Sequence, residues 1–145
     1  MKGDSLPDSD HVSRYCGFET APNGEITGAA FLLRSGEPYL SVNWLEHLKA
    51  KDRTDELREL RDRLAKRLRL GAKARLAVLQ VKRSREYVSE NSPDNRVLLF
   101  THEPITPPNS EDDSHSGIYN TKSEDEMLIA ELLAESVEDN YAAKP

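Results

Sequence analysis

Four leucines, Leu57, Leu60, Leu64 and Leu68, stand three, four and four residues apart in an otherwise charged stretch. That spacing places all four on one stripe of a 3.6-residue helix and predicts an amphipathic helix from Asp52 to Leu70, with Gly71 as its C-cap. Such a helix must bury its stripe against another element. The other apolar runs are shorter and read as strands: Ile26 to Leu33, Tyr39 to Val42, Arg75 to Val81 and Arg96 to Thr101. The turn Ser35-Gly36-Glu37-Pro38 joins the first two as a hairpin. In the second, Leu40 and Val42 share one face while Tyr39, Ser41 and Asn43 share the other, so a polar face is expected to look into a cleft.

Asn43 also has the chemistry of an N-cap for a helical start at Trp44-Leu45-Glu46-His47-Leu48. Lys82 to Glu90 fits a short helix or a frayed strand equally well. Ser123 and Glu126 have capping-box spacing and open a C-terminal helix of about 15 residues, apolar through Met127, Ile129, Ala130, Leu132, Leu133 and Val137. Its other face is acidic. The expected fold class is α+β: a single small domain with a sheet of four or five strands, packed by the basic central helix and the acidic C-terminal helix. Residues 1–10 read as a disordered lead-in and 11–139 as the domain. A long polar loop is expected over 103–122, and a flexible tail over 140–145.

The net charge of −6 hides a polarity along the chain. From Lys49 to Arg85 there are 14 Lys and Arg against 5 Asp and Glu, whereas from Glu103 to Asp139 there are 11 acidic residues against Lys122 alone. A bipolar chain of this kind can neutralise itself, self-associate, or offer its basic helix to a phosphate backbone or an acidic partner. Part of the pattern needs no ligand, because acidic residues open the central helix and basic ones close it, as the helix dipole favours. No apolar run reaches the roughly 18 residues that span a bilayer, so no membrane partner is expected. A single cysteine, Cys16, and an N-terminus without an apolar signal segment point to a reducing, cytoplasmic setting.

His11, Cys16, His102 and His115 fall in segments that read as turns, and only His47 falls in a helical pattern. As zinc ligands they lack finger or ribbon spacing, and Cys16 carries no local signature of a thiol nucleophile. No metal and no cofactor is expected from them. A third reading is acid–base or phosphate chemistry, with a neutral imidazole as base and Arg14 as an oxyanion clamp. Each residue also has a plain structural role to weigh: His11 and Arg14 as anchors of the N-terminal segment, His102 as a partner for backbone groups at a strand end.

No motif of high specificity is present, and three functions remain. The first is a small cytosolic interaction or regulatory module, an accessory subunit or homo-oligomer working through its charged helices and acidic loop. The second is a small hydrolase or transferase acting on a nucleotide or RNA, with His11, Arg14, His102 and His115 in one pocket supported by Tyr15, Asn43 and Glu103. The third is nucleic-acid binding by helix 53–70 through Arg63, Arg67 and Arg69. Trp44 reads as core, or as a partner-binding anchor if exposed.

Overall fold

Leu76-Ala77-Val78-Leu79 is apolar at every position, so a strand built from it needs cover on both faces. The computed structural model, which describes residues 1–108 and 111–144, provides that cover. The elements run β1 (His11–Cys16), β2 (Leu40–Trp44), α1 (Arg53–Ala65), β3 (Arg75–Gln80), α2 (Val81–Asn91), β4 (Leu99–His102), β5 (His115–Tyr119), α3 (Glu126–Glu135) and β6 (Asp139–Ala142). The fold is α+β, and among the described residues there are three α-helices and one sheet of six antiparallel strands, in the order β4-β5-β2-β1-β3-β6. Helices lie on both faces. Leu57, Leu60 and Leu64 of α1 bury against Leu76 and Val78, while Ala77 and Leu79 face the opposite core with Val88 of α2 and Ile129 and Leu133 of α3.

The central helix is as expected at its start, where the Asp52 carboxylate accepts from the Asp55 N–H at 2.8 Å. Its end differs. The α-helix stops at Ala65, Leu68 is exposed, and the Gly71 N–H is no cap but donates to the Tyr15 hydroxyl at 2.9 Å. The stripe therefore buries three of its four leucines.

The largest departure is at Ile26 to Leu33, which forms no strand and no hairpin with β2. Gly28–Phe31 is a short 3-10 turn packed on α3. Gly28-Ala29-Ala30 has little strand preference, and a Cβ at Gly28 would sit 3.2 Å from the Glu131 backbone, a close approach that a side chain there would block. The stretch from Lys82 resolves as helix α2, and α3 is ten residues long with Asp125 at its N-cap, not Ser123.

Composition also misled at three polar segments. Residues 1–10, read as a disordered lead-in, are tied to β4 and α2: Leu6 N–H donates to Phe100 O, His102 N–H to Asp4 O, and Lys82 N–H to Asp8 O. The 103–122 loop contains β5, and the expected tail from Asn140 forms most of β6. Each of these gains backbone pairing with a neighbour distant in sequence, which no local pattern encodes.

Candidate functional site

β1 pairs with β3 along six residues but with β2 through Val12–Trp44 and Ser13–Asn43 only. The two central strands splay beyond Ser13, and Arg14 fills the gap. Its Nε donates to Ala30 O at 2.9 Å and its Nη1 to Ser41 O at 2.8 Å, which satisfies a strand carbonyl that the splay leaves without a ladder partner. Burial lowers the Arg14 pKa from its ordinary value.

Over this gap, on the face that carries α1, lies a cleft of about 240 Å³. Its floor is Ser13, Ser41, Asn43 and His115, and its walls are Leu64 and Arg67 at the end of α1 and the turn holding Arg34 and Glu37. The alternation read from Tyr39 to Asn43 thus does put its polar face toward a cleft. Asn43 is not a helix cap, however, because it lies within β2 and only a short 3-10 turn, Glu46–Leu48, follows.

The cleft is charged and incompletely satisfied. Arg14, Arg34 and Arg67 line it against one carboxylate, Glu37, in a chain whose net charge is −6. Two of its polar atoms, Ser13 Oγ and Arg67 Nε, are buried with no hydrogen-bond partner among the described residues. Buried polar groups of native proteins are nearly always paired, and each exception asks for a ligand, water or strain to explain it.

Arg67 is held from behind. Its Nη2 lies 2.9 Å from Asp112 Oδ2, and Asp112, whose side chain is 0% exposed, also accepts from Asn43 Nδ2 at 2.8 Å and from Ser114 Oγ at 2.7 Å. Burial pushes the Asp112 carboxyl up, but the hydrogen bonds from Ser114 and Asn43 and the Arg67 charge outweigh it and hold the group below the usual carboxylate range. Arg63 adds a second cation, pairing with Asp112 and with the exposed Asp113.

Ser13, Asn43 and His115 stand in register in one row across β1, β2 and β5. His115 Nδ1 is 2.8 Å from the Glu103 carbonyl, which can only accept, so Nδ1 carries the proton and Nε2 is left with its lone pair. Burial lowers the His115 pKa, and the Arg67 charge adds to this against the opposing hydrogen bond to Glu103. With the folded value depressed, the unfolded chain takes up the proton first on acidification. Stability is therefore expected to fall as pH drops below about 6.5, the ordinary histidine value. In urea titrations from pH 7 to pH 5 the variant His115→Gln should show a smaller fall than the parent chain; equal slopes would contradict the assignment.

Tyr39 borders the same face. Its ring lies on Gly117, where a Cβ would come within 2.4 Å of Cδ1, and its centroid is 5.1 Å from Tyr119 and 5.9 Å from His115. Burial raises the Tyr39 pKa, the Glu103 charge raises it further, and the Arg67 charge opposes both, so the hydroxyl lies within the field of the cleft's arginine.

No protein-family model matches this chain, and neither a curated protein nor a solved structure matches it.

Of the expected site residues, Arg14, Tyr15, Asn43, Arg67 and His115 line this cleft, and His11 and His102 do not. Cross-strand register puts His11 with Ser13 and Tyr15 on the α1 face, and His102 with Ser116, Val42 and Arg14 on the other. His11, Arg14, His102 and His115 therefore do not all share one pocket: Arg14, which fills the gap between β1 and β2, and His115 both line the cleft, whereas His11, His102 and Cys16 do not. All five lie in strands, not turns. His11 bridges two carboxylates, Glu46 at 2.6 Å and Glu138 at 3.0 Å, and so links β1 to the segments that follow β2 and α3. His102 Nε2 donates to Asp113 O at 2.6 Å, and the ring packs with His47 and Trp44.

Trp44 is half-buried, with its Nε1–H on Asp10 at 2.8 Å, and is no exposed anchor. The Tyr15 hydroxyl is taken by Gly71, and Glu103 is buried with Oε2 accepting from Thr101 at 2.8 Å. Cys16 is buried and its thiol is pushed up to about 11 by desolvation, which leaves it unreactive as a thiolate at neutral pH. Of the three arginines read as a nucleic-acid surface, Arg63 and Arg67 face the acidic loop and only Arg69 is exposed. Ser13 and Asp112 were given no role by the sequence reading, and Tyr39 only a place on the polar face that runs to Asn43. The alternation at 39–43 pointed toward Tyr39, whereas Asp112 was one acid in an acidic run.

No helix among the described residues is long and apolar enough to cross a membrane.

Proposed function

We propose that this chain is a small ligand-binding domain, an accessory or regulatory module that takes a small anionic molecule into the cleft between α1 and strands β1 and β2. The observation that carries this reading is the pair of buried, unpartnered polar atoms, Ser13 Oγ and Arg67 Nε, in a cleft lined by three arginines. An arginine already oriented by a buried carboxylate loses little freedom on binding, so its remaining donors are prepared for a planar or tetrahedral oxyanion. His115 Nε2 adds an acceptor, which suits a ligand with both anionic oxygens and a hydroxyl or N–H. A polyanion fits less well, because Arg63 is paired with Asp112 and Asp113 and the chain carries a net charge of −6.

The test separates stability from binding. Ser13→Ala removes a hydroxyl that makes no hydrogen bond in the ligand-free chain, so stability should be unchanged or higher by up to about 1 kcal/mol. Affinity for inorganic phosphate, measured by calorimetric titration, should fall several-fold. A clear loss of stability with unaltered phosphate binding would mean that Ser13 serves the fold instead.

A further inference from the structure

We propose that the ligand of this cleft is a nucleoside monophosphate, its phosphate at Arg67 and Ser13 and its base stacked on Tyr39. The inference rests on the anion-binding reading and specifies what else the anion carries.

Helix α1 buries its leucines against β3 and the end of β1, and the part of this sheet face made by Tyr39, Tyr119 and Leu99 lies outside that cluster. What lies there is aromatic. Tyr39 and Tyr119 are both half-exposed, side by side at 5.1 Å, with Leu99 exposed in register with Tyr119. An apolar and aromatic patch of this kind on an otherwise charged small protein is a recognition surface in waiting.

Gly117 turns that patch into a shelf. With no Cβ at this position, the Tyr39 ring packs against the β5 backbone and remains half-exposed. Aromatic rings presented from a sheet face accept any nucleobase by stacking. Gly117 stands two residues from His115, which is about 7 Å along a strand, and His115 belongs to the row that floors the cleft. A sugar occupies that interval between base and phosphate. Tyr39 lies 5.9 Å from His115 between ring centroids, and a sugar joining a base on Tyr39 to a phosphate at Arg67 passes His115, whose Nε2 can accept from its hydroxyls. The −6 net charge and the internal pairing of Arg63 favour a single phosphate over a strand of them.

Calorimetric titration of the full chain with inorganic phosphate, adenosine and AMP tests this. AMP is expected to bind at least tenfold more tightly than either phosphate or adenosine, a gain on the scale of one base–aromatic stack. Tyr39→Ala should reduce AMP to the affinity that the same variant shows for phosphate; Tyr39→Phe, which keeps the ring, should retain most of the AMP affinity and guards against a folding defect in the alanine variant. AMP no tighter than phosphate would overturn the nucleotide assignment and leave the anion site standing. Binding of neither phosphate nor AMP would overturn both readings, and adenosine binding as tightly as AMP would overturn the placement of the phosphate at Arg67.

Discussion

Asp112→Ala is expected to cost on the order of 3 kcal/mol of stability, because removing one partner of a buried ion pair leaves the other charge and its hydrogen-bond donors unmatched. The side chain is 0% exposed and accepts from Asn43, Ser114 and Arg67. Arg67 is partly exposed and recovers some hydration, which keeps the figure at the lower end of that range. The control is its neighbour. Asp113 also pairs with Arg63 but is 62% exposed, so Asp113→Ala should cost less than about 1 kcal/mol. Urea unfolding of the two variants side by side decides it, and equal losses would show that the buried network holds nothing special.

The same network sets an acid limit. Because the folded Asp112 pKa is depressed, its stabilisation is present above the ordinary carboxylate value near 3.9 and is lost as pH falls through the lower folded value. The Asp112→Asn chain should consequently show a shallower loss of stability below about pH 4 than the parent.

Phe31→Ala is expected to cost about 3–5 kcal/mol, the range for emptying a buried phenylalanine site. Phe31 is 1% exposed and belongs to the core under α3, although it sits on a 3-10 turn with no regular ladder to hold it. If the turn were a surface connection, truncation would cost under 1 kcal/mol. A loss of several kcal/mol with an unchanged denaturant slope would place the turn inside the cooperative core.

The contrast between Phe31 and Leu60 marks what local pattern conveys. Leu60 was legible because a 3.6-residue stripe has one interpretation, and β3 because the unbroken apolar run Leu76 to Leu79 suits a central strand. Phe31 sits in an apolar run with no periodicity, where strand and buried turn look alike, and the contact of Gly28 with α3 decided between them. β5 and β6 were missed for the opposite reason. His115-Ser116-Gly117 and Asp139-Asn140-Tyr141 are poor strand formers recruited by the ladders of β2 and β3, so their strand state comes from partners and not from propensity.

At the site, the facing of Ser41 and Asn43 was readable from the two-residue period. The separation of His11 from His102 was not, since it depends on the register of four strands. The charge polarity was visible as a sum, but its resolution into Arg67 on Asp112 needs the fold that brings residues 45 positions apart together.

The segment before β1 has a bearing on how the molecule behaves in a crowded solution. Gly3 N–H donates to His102 O, His102 N–H to Asp4 O and Leu6 N–H to Phe100 O, so the outer rim of β4 is already occupied by the chain's own backbone. At the opposite rim the Ala142 carbonyl is held by Arg61 at 2.7 Å. A bare strand rim is a template for another molecule's strand and the usual start of edge-to-edge aggregation. Here the strand that carries exposed Leu99 offers no such template on its outer rim, because the chain's own first residues already pair with it.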